Sequence, residues 1–400
     1  MSKDIRVQVG IVGAGPAGLV LSHLLHERGI ESIVLEARSR EYGEKRIRAG
    51  VLEQRTADLL SEHGLGDRMK REGIVHHGIE LRFRAEGHRI PFDELTGGQG
   101  ITIYGQQEVV KDLIGIRLAQ GQPILFEVSD VGVHDIDSEA PSIRFTHEGE
   151  AKRIRCDFVA GCDGFHGVCR DSVPEGALTF HVHRHPFGWL GILARAAPST
   201  DELIYAFHDR GFALHSLRSP ELSRLYVQCD PDDDLESWPD ERIWDELHTR
   251  LARNDGWVLR EGPVIEKGIT EMRTFVTEPM QYGRLFLAGD AVHIVPPTGA
   301  KGLNLAVADV RVLADALAAW FAGGDGSRLA AYSDTCLPHV WRTQRFASWM
   351  TSMLHRFPDD HDGFRAKLQI AELEYVTSSR AAATSLAENY VGSESIPCIT

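Results

Sequence analysis

The spacing of apolar positions at the start of the chain predicts a strand, a helix and a second strand in succession. An apolar strand at residues 7–11 runs into a glycine-rich turn, and leucines with helical spacing follow it as far as Arg28. Residues 33–35 form the next apolar run, which ends in Glu36. This βαβ succession indicates a parallel sheet with helices packed on its faces.

Two later apolar runs have the same form as these strands. Residues 158–160 and 285–288 are apolar, and each run is followed by an aspartate beside a glycine, Asp163-Gly164 and Gly289-Asp290. Open α/β folds bind their ligands at the edge formed by the carboxyl ends of the strands, so we expect both aspartates at that edge. For either aspartate alone, a turn or helix-cap role is the more ordinary explanation.

Between these runs and after them the pattern changes. Residues 179–229 alternate between apolar and polar positions, with turns of Pro, Gly and Ser, which predicts antiparallel strands. Helical spacing dominates from Leu303 to about Asn389. We therefore predict a mixed fold of the α/β and α+β classes, with a Rossmann-like parallel-sheet domain, an antiparallel-sheet domain and a C-terminal helical region.

Composition narrows the functional classes. The 400 residues are 42% hydrophobic and carry a net charge of −15, which argues against a nucleic-acid partner. The six cysteines include no Cys-x-x-Cys pair and no zinc spacing, so we expect buried free thiols and no metal site. Pro16 and several histidines interrupt the apolar stretch near the N-terminus, which therefore reads as neither a signal peptide nor a membrane span; we expect a cytoplasmic protein.

The glycine-rich turn has the G-x-G-x-x-G spacing of a dinucleotide-binding loop. Gly13 permits the tight turn, Gly15 lets a pyrophosphate approach the backbone, and Gly18 lets the helix and strand pack closely. Glu36 ends the second strand, where it can accept hydrogen bonds from an adenosine ribose. A packing turn is the alternative for such a loop, and the fingerprint by itself does not decide between NAD and FAD.

The segment 289–304 favours FAD. Pro296 and Pro297 force an extended chain, and the turn that follows presents bare backbone N–H groups in front of the helix that begins at Leu303. A helix N-terminus carries about half a positive charge, which suits the edge of an isoalloxazine ring that becomes anionic on reduction. A nicotinamide ring makes no such demand.

Several motifs together carry a family resemblance. They are GAGPAG at 13–18, RIRAGVLEQ at 46–54, IYGQ at 103–106, AGCDGFHG at 160–167, PFGWLG at 186–191, FVTEPMQ at 275–281, GDAVHIVPPTGAKGLN at 289–304 and SWMT at 348–351. With this set the chain resembles the single-component flavoprotein aromatic hydroxylases over nearly its whole length. Within that family it is most similar to the members that act on 4-hydroxybenzoate.

The resemblance implies an activity and its co-substrates. NADPH, with NADH as the alternative, reduces FAD, O₂ adds at flavin C4a, and the hydroperoxide hydroxylates 4-hydroxybenzoate at C3 to give 3,4-dihydroxybenzoate. The implied partners are this small phenolic acid and O₂, in a homodimer joined through the C-terminal region. The implied domains are an FAD-binding domain (1–75, 102–178 and 268–320), a substrate-binding sheet domain (76–101 and 179–267) and a C-terminal helical region (321–400).

The resemblance also assigns site residues. The substrate-binding residues are Tyr205, Ser216, Arg218, Tyr226, Pro297 and Thr298. The catalytic residues are Tyr205, which hydrogen-bonds the substrate phenol, Tyr390 and His76, which continue a proton relay toward the surface, and Pro297. The FAD-binding residues are Gly13, Gly15, Ala17, Gly18, Glu36, Arg48, Gln106, Asp163, Arg224, Asp290, Gly302, Leu303 and Asn304. The nicotinamide nucleotide is assigned to Arg46, His166 and Arg273.

Two alternatives stay open at the level of sequence. One is the same chemistry on another phenolic acid, because Phe207 and His215 depart from the family pattern near the substrate strands and Ala17 replaces a frequent serine in the glycine loop. The other is a non-catalytic FAD-binding sensor. Arg38 or Arg40 is placed to meet a 2′-phosphate, which favours NADPH, although surface arginines are common.

Overall fold

A computed structural model of the protein describes residues 4–46 and 50–393. The strands are β1 Asp4–Arg6, β2 Val9–Val12, β3 Ser32–Leu35, β4 Val51–Glu53, β5 Ile74–His76, β6 Gly78–Phe83, β7 Glu86–Pro91, β8 Ile101–Ile103, β9 Ile124–Leu125, β10 Ser129–His134, β11 Ser142–His147, β12 Glu150–Arg155, β13 Phe158–Gly161, β14 Thr179–Ala194, β15 Leu203–Ala206, β16 Ala213–Ser219, β17 Leu222–Cys229, β18 Val264–Glu278, β19 Gln281–Tyr282, β20 Leu285–Leu287 and β21 His293–Ile294. The helices are α1 Pro16–Glu27, α2 Arg40–Lys45, α3 Gln54–Glu62, α4 Asp67–Glu72, α5 Phe92–Thr96, α6 Gln106–Ala119, α7 Asp240–Arg250, α8 Gly302–Gly323, α9 Ser327–Ala330, α10 Tyr332–Leu354, α11 Phe364–Ser378 and α12 Arg380–Val391.

The predicted parallel sheet is present. Six strands lie in the order β19-β20-β13-β2-β3-β9, and β2 pairs in parallel with both β3 and β13, while β13 pairs in parallel with β20. All residues of β2, β3, β13 and β20 are buried, as expected for a sheet covered on both faces. The carboxyl ends of these four strands therefore meet at one edge.

A second, mostly antiparallel sheet carries the middle of the chain. Its eight strands lie in the order β21-β18-β14-β17-β16-β15-β6-β7, and the one parallel pair joins β15 to β6. Successive side chains of these strands point to opposite faces of the sheet, and each face packs against its own hydrophobic core. Leu190 and Ile192 pack with the α7 side chain Trp244, whereas Trp189 and Tyr205 face the C-terminal helices.

The C-terminal helical region packs on this second face. Phe346 and Met350 of α10 and Tyr390 of α12 belong to the same apolar cluster as Tyr205. The predicted mixed fold class is thus confirmed, while the division into three domains stays a prediction. The five cysteines among the described residues are all buried and free, as expected, and Cys398 lies outside those residues.

Two further statements cover residues 4–46 and 50–393 only. No helix in these ranges has the length and apolarity needed to cross a membrane. No group of three or more His, Cys, Asp or Glu side chains in them is arranged to hold a metal ion.

Candidate active site

The glycine loop between β2 and α1 leaves space for a phosphate. Gly13 has φ +104°, and a Cβ there would lie 2.3 Å from the Cys162 carbonyl oxygen. A Cβ on Gly18 would lie 2.0 Å from the carbonyl oxygen of Gly13, so packing requires both glycines. A Cβ on Gly15 would meet nothing within 4 Å, although this residue is the N-cap of α1. The loop is tight against protein and open in front of the helix N-terminus, a shape that fits a pyrophosphate.

The carboxylate of Glu36 is fixed at the end of β3 by the loop itself. Its Oε2 accepts a hydrogen bond from the Ala14 N–H at 2.8 Å, and its Oε1 accepts one from the Arg38 N–H at 2.8 Å. A carboxylate has about four acceptor sites, so each oxygen keeps capacity for a ribose hydroxyl. Glu36 thus orders the glycine loop and fits its predicted ligand.

The N-terminus of α8 is a second place where backbone N–H groups are open to a ligand. A 3₁₀ turn at Pro297–Gly299 is followed by Ala300 with φ +54°, and a Cβ on Gly302 would meet nothing within 4 Å. The first N–H groups of a helix have no acceptor within the helix, so they point at whatever lies in front of it. This segment fits the anionic edge of a reduced isoalloxazine ring.

Asn304 and Leu303 support this turn from behind. The Asn304 Nδ2 donates to the carbonyl oxygens of Val51 at 3.0 Å and Ala300 at 3.1 Å, and its Oδ1 accepts from the Glu53 N–H at 2.9 Å. Leu303 is half-buried against the core of the parallel sheet. The Asn304 amide therefore fixes the segment after residue 50 to the start of α8.

The two aspartates after parallel strands lie at the same sheet edge. The Oδ2 of Asp163 accepts from the Cys169 N–H at 2.9 Å, while its Oδ1 is buried without a partner among the described residues. Burial raises the pKa of this carboxyl group. Asp290 is half-buried in the 3₁₀ turn after β20. An orphaned buried acceptor at this edge fits a hydroxyl-bearing ligand such as the ribityl chain of FAD.

The remaining cofactor positions are more dispersed. Gln106 begins α6 and is half-buried, and Ala17 is buried in the first turn of α1. Arg46 follows α2, with its guanidinium carbon 5.6 Å from the centroid of the Tyr42 ring. Arg48 lies outside the described residues.

The antiparallel sheet assembles a cationic pocket from three predicted substrate residues. The Nη1 of Arg218 donates to the Ser216 Oγ at 3.1 Å and to the Leu217 carbonyl oxygen at 2.9 Å. The Arg218 Nε is buried without a partner in the described ranges, and Tyr226 interacts with the same guanidinium. Desolvation lowers the pKa of Arg218, but a guanidinium stays charged in any protein. A guanidinium with a buried, unpaired Nε beside two hydroxyls fits a carboxylate.

Arg224 lies at the rim of this pocket. Its guanidinium carbon is 5.4 Å from the Tyr226 ring centroid, and its Nη1 is 3.4 Å from the Glu266 carboxylate. Strand register places Arg224 opposite Ser216. The structure therefore brings Arg224 next to the substrate residues.

Two buried tyrosines are hydrogen-bonded to each other through their hydroxyl groups. The hydroxyl oxygens of Tyr205 and Tyr390 are 2.5 Å apart, and the side chains are 2% and 1% exposed. Burial raises the pKa of both phenols, so both hydroxyls keep their protons in the folded protein. Nearby, the Thr298 Oγ1 accepts from the Thr351 Oγ1 at 2.9 Å, and Pro297 is exposed beside it.

His76 ends β5, the edge strand of a small sheet in which it pairs with β8. Its side chain is 1% exposed, while the adjacent Val75 is 55% exposed, so the ring is buried beside an exposed neighbour and its role in the relay stays a prediction. Neither ring nitrogen has a partner among the described residues, and burial lowers the pKa of His76 to about 4. No direct hydrogen bond between described side chains joins His76 to the tyrosine pair.

Two buried ion pairs near α8 escaped the sequence analysis. The Lys301 Nζ contacts the Glu53 carboxylate and donates to the Tyr390 carbonyl oxygen at 2.9 Å. His293 and Asp309 are 2.6 Å apart, and the same Asp309 oxygen accepts from the Gly289 N–H at 3.0 Å. Desolvation acts to lower the pKa of His293, but the Asp309 carboxylate outweighs it and the pKa is raised. In the sequence, such a buried ion pair is marked only by a charged residue, here Lys301 or Asp309, within an otherwise apolar segment.

Two of the three predicted nucleotide residues, His166 and Arg273, lie at Phe165, whereas Arg46 lies beside Tyr42. The guanidinium carbon of Arg273 is 4.2 Å from the Phe165 ring centroid, and His166 is exposed next to it. Arg170, which the sequence analysis did not single out, lies 5.0 Å from the same ring and 4.9 Å from Phe275. This surface is cationic and aromatic.

Comparisons with known proteins agree with this architecture. A family model described as an FAD binding domain matches residues 6–347. The p-hydroxybenzoate hydroxylase of Acinetobacter baylyi is 47% identical over 98% of this chain and 96% of its own length. Among solved structures, p-nitrophenol 4-monooxygenase from Pseudomonas putida matches with a TM-score of 0.79 at 20% identity, covering 99% of this chain and 100% of that one. Anhydrotetracycline hydroxylase from Streptomyces rimosus matches with a TM-score of 0.76 at 22% identity, covering 97% and 76%.

The family match covers most of the chain, and the relative with 47% identity aligns over nearly all of it. The residues at the sheet edge fit FAD independently of these matches, through the open Gly15 and Gly302 positions. The chain therefore belongs to the FAD-binding family of aromatic hydroxylases and is a flavoprotein monooxygenase.

Proposed function

We propose that this flavoprotein monooxygenase hydroxylates 4-hydroxybenzoate at C3, forming 3,4-dihydroxybenzoate and water with NAD(P)H and O₂ as co-substrates. Two groups that both interact with Tyr226 carry the proposal, and we assign them to the two ends of one substrate pocket. One is the Arg218 guanidinium, whose buried Nε has no partner among the described residues, and the other is the Tyr205–Tyr390 hydroxyl pair. The name of the Acinetobacter relative supports the same substrate.

The cationic end selects a carboxylate. Arg218 keeps a buried N–H without a partner, which costs free energy until an anion accepts from it. A carboxylate matches the planar guanidinium with two parallel hydrogen bonds, and Ser216 and Tyr226 supply hydroxyls beside it. These three side chains are the proposed benzoate site.

The phenolic end makes the substrate more reactive. Tyr205 is placed to hydrogen-bond the substrate oxygen, and its short contact to Tyr390 offers the substrate proton a path away from the ring. A phenolate donates electrons to its ring far better than a phenol does. When bound, FAD supplies the O₂ chemistry, and Pro297 and Thr298 close the pocket on the flavin side. From Tyr390 we propose that the proton travels on to His76.

The reductant site is proposed on the cationic surface around Phe165. His166 and Arg273 are the proposed contacts there, and Arg46, beside Tyr42, is the third proposed contact. A nicotinamide dinucleotide carries a pyrophosphate that arginines can bind, and the chain has no second glycine fingerprint for it. NADPH is the proposed reductant in preference to NADH.

We also propose a homodimer formed through the C-terminal helices. Phe364, Leu368 and Tyr375 of α11 are 64%, 56% and 57% exposed and follow helical spacing along one side. Exposed large apolar side chains in a row are typical of an interface. Light scattering tests this: the dimer mass is expected for the native chain and the monomer mass for Leu368→Arg, and a monomeric native chain would refute the dimer.

Product analysis tests the proposed reaction. The purified holoenzyme is expected to be yellow, to oxidise NADPH faster when 4-hydroxybenzoate is added, and to release 3,4-dihydroxybenzoate. Parallel reactions with 3-hydroxybenzoate and with 3,4-dihydroxybenzoate test the substrate, because the distance from Arg218 to Tyr205 fixes which ring position reacts. Faster product formation from either of these acids would mean that this acid is the substrate. If none of the acids is oxidised, the chain is a non-catalytic FAD-binding sensor.

A further inference from the structure

Strands β14 and β18 place two arginines side by side. Arg184 of β14 lies directly opposite Arg273 of β18 in the antiparallel register. Directly opposite residues of an antiparallel pair point to the same face, with Cβ atoms about 5 Å apart. Like charges at such positions destabilise the sheet, and an anion bound between them would remove the repulsion.

No such group lies in the part of the chain that the structure describes. Across residues 4–46 and 50–393, neither Arg184 nor Arg273 forms a hydrogen bond or an ion pair with a carboxylate; the one close partner of Arg273 is the Phe165 ring. Another opposed pair, Arg144 of β11 and Arg153 of β12, shows the usual compensation. Arg153 lies 3.6 Å from the Asp135 carboxylate and donates to the Ser142 Oγ at 3.1 Å.

The uncompensated pair faces the proposed reductant site. Phe180 stacks on Phe275 at 6.1 Å, and Phe275 meets Phe165 edge-on at 5.0 Å, so this face of the two strands is turned toward Phe165. Arg184 lies four residues beyond Phe180 on the same strand and therefore shares that face. The intervening Val182 is 60% exposed, so the surface is open to a ligand.

We propose that Arg184 and Arg273 together bind a phosphate group of the nicotinamide dinucleotide. This inference rests on the proposed function, which requires that nucleotide as reductant, and it adds Arg184 as a determinant of nucleotide affinity. A phosphate placed between the two guanidinium groups accepts charge-assisted hydrogen bonds from both and removes their mutual repulsion. The phosphate is either the pyrophosphate, common to both nucleotides, or the 2′-phosphate, present only in NADPH.

Titration calorimetry on the holoenzyme tests the pair without turnover. NADP⁺ and NAD⁺ are titrated into the native protein, Arg184→Ala, Arg184→Lys and the control Arg144→Ala, which removes an exposed arginine from the other opposed pair. For Arg184→Ala we expect the dissociation constant of NADP⁺ to rise about tenfold, as for the loss of one charge-assisted hydrogen bond. Arg184→Lys is expected to recover part of the affinity, and Arg144→Ala to leave it unchanged.

The two nucleotides identify the phosphate. Equal losses for NADP⁺ and NAD⁺ indicate the pyrophosphate, and a loss for NADP⁺ alone indicates the 2′-phosphate; either result supports the pair. The melting temperature of Arg184→Ala is expected to stay level or rise, because a repulsion is removed. A dissociation constant within twofold of the native value for both nucleotides overturns the inference.

Substrate measurements keep this result separate from the proposed function. Binding of 4-hydroxybenzoate without nucleotide is expected to be the same in Arg184→Ala and the native protein, and formation of 3,4-dihydroxybenzoate is measured on the native protein. If the native protein forms no such product, the proposed function fails; if it forms product and Arg184→Ala binds both nucleotides normally, only the role of Arg184 fails.

Discussion

At the scale of single residues, the informative atoms are buried polar atoms that the protein leaves unpaired. The Arg218 Nε and the Asp163 Oδ1 are two of them, and we assign the first to the substrate and the second to FAD. Folded proteins pair nearly all such atoms, since an unpaired one costs about 1–3 kcal/mol. A bound ligand recovers this free energy, and the recovery contributes to its affinity.

Arg218→Ala tests the carboxylate end of the pocket. Loss of a hydrogen bond to a charged group costs about 1.5–3 kcal/mol, so we expect the dissociation constant of 4-hydroxybenzoate to rise by roughly 10- to 100-fold. The constant is measured from the change in flavin absorbance on titration. Arg195→Ala, which removes an exposed arginine at the end of the same sheet, is the control and is expected to bind normally. Unchanged affinity in Arg218→Ala would remove this residue from the site.

Tyr205→Phe tests the phenolic end. The variant keeps the ring but removes the hydroxyl that contacts Tyr390, so flavin reduction is expected to continue while hydrogen peroxide largely replaces 3,4-dihydroxybenzoate. The measurement is the ratio of product to NADPH consumed. Tyr332→Phe, which removes a buried hydroxyl bonded to the Leu287 carbonyl oxygen, is the matched control. Full coupling in Tyr205→Phe would contradict the role of this hydroxyl.

At the scale of elements, the sequence predicted local units well and their long-range partners poorly. The βαβ unit and the open loop at Gly15 follow from spacing alone, because turn and packing requirements are local. Spacing did not predict the parallel pairing of β6 with β15 or the burial of His76 in β5. Both depend on contacts between segments far apart in the chain. The Lys301–Glu53 pair was missed for the same reason.

Gly15→Val tests the proposed pyrophosphate site in front of the N-terminus of α1. Gly15 has φ −77° and ψ −179°, an extended conformation that any residue adopts, and a Cβ there meets no protein atom within 4 Å. We therefore expect a folded protein that binds FAD weakly, because the added methyl groups occupy the space of the pyrophosphate. Absorbance of the purified protein near the flavin maximum, with circular dichroism for the fold, measures both.

The matched control is Gly115→Val. This exposed glycine of α6 also has open space at its Cβ position. It is expected to retain FAD, with a small loss of stability from a β-branched residue in a helix. If Gly15→Val bound FAD as tightly as this control, the pyrophosphate would have to lie elsewhere.

At the scale of the whole molecule, buried histidines make the fold sensitive to acid. Burial lowers the pKa to about 4 for His76, His185 and His215 and to about 3 for His355. In the unfolded chain a histidine has a pKa near 6.5. Between about pH 6.5 and pH 4 the unfolded chain therefore binds protons that the folded chain does not, so stability falls as the pH falls through this window.

Thermal denaturation between pH 7.5 and pH 4.5 checks this expectation. The melting temperature is expected to fall with pH, each of these four histidines contributing on the order of 1 kcal/mol of lost stability at pH 5, while His293, whose pKa is raised, opposes the fall. His185→Gln should flatten the fall, whereas His181→Gln, which replaces an exposed histidine of the same strand, should not. A melting temperature that is constant or rises from pH 7 to pH 5 would contradict the assignment.

Isotope labelling tests the proposed reaction most directly. The holoenzyme, 4-hydroxybenzoate and NADPH are combined under ¹⁸O₂, and the product is analysed by mass spectrometry. A monooxygenase with this substrate predicts 3,4-dihydroxybenzoate that carries one ¹⁸O atom, at C3, formed in proportion to the NADPH consumed. Unlabelled product, or consumption of NADPH that yields only hydrogen peroxide, would contradict it.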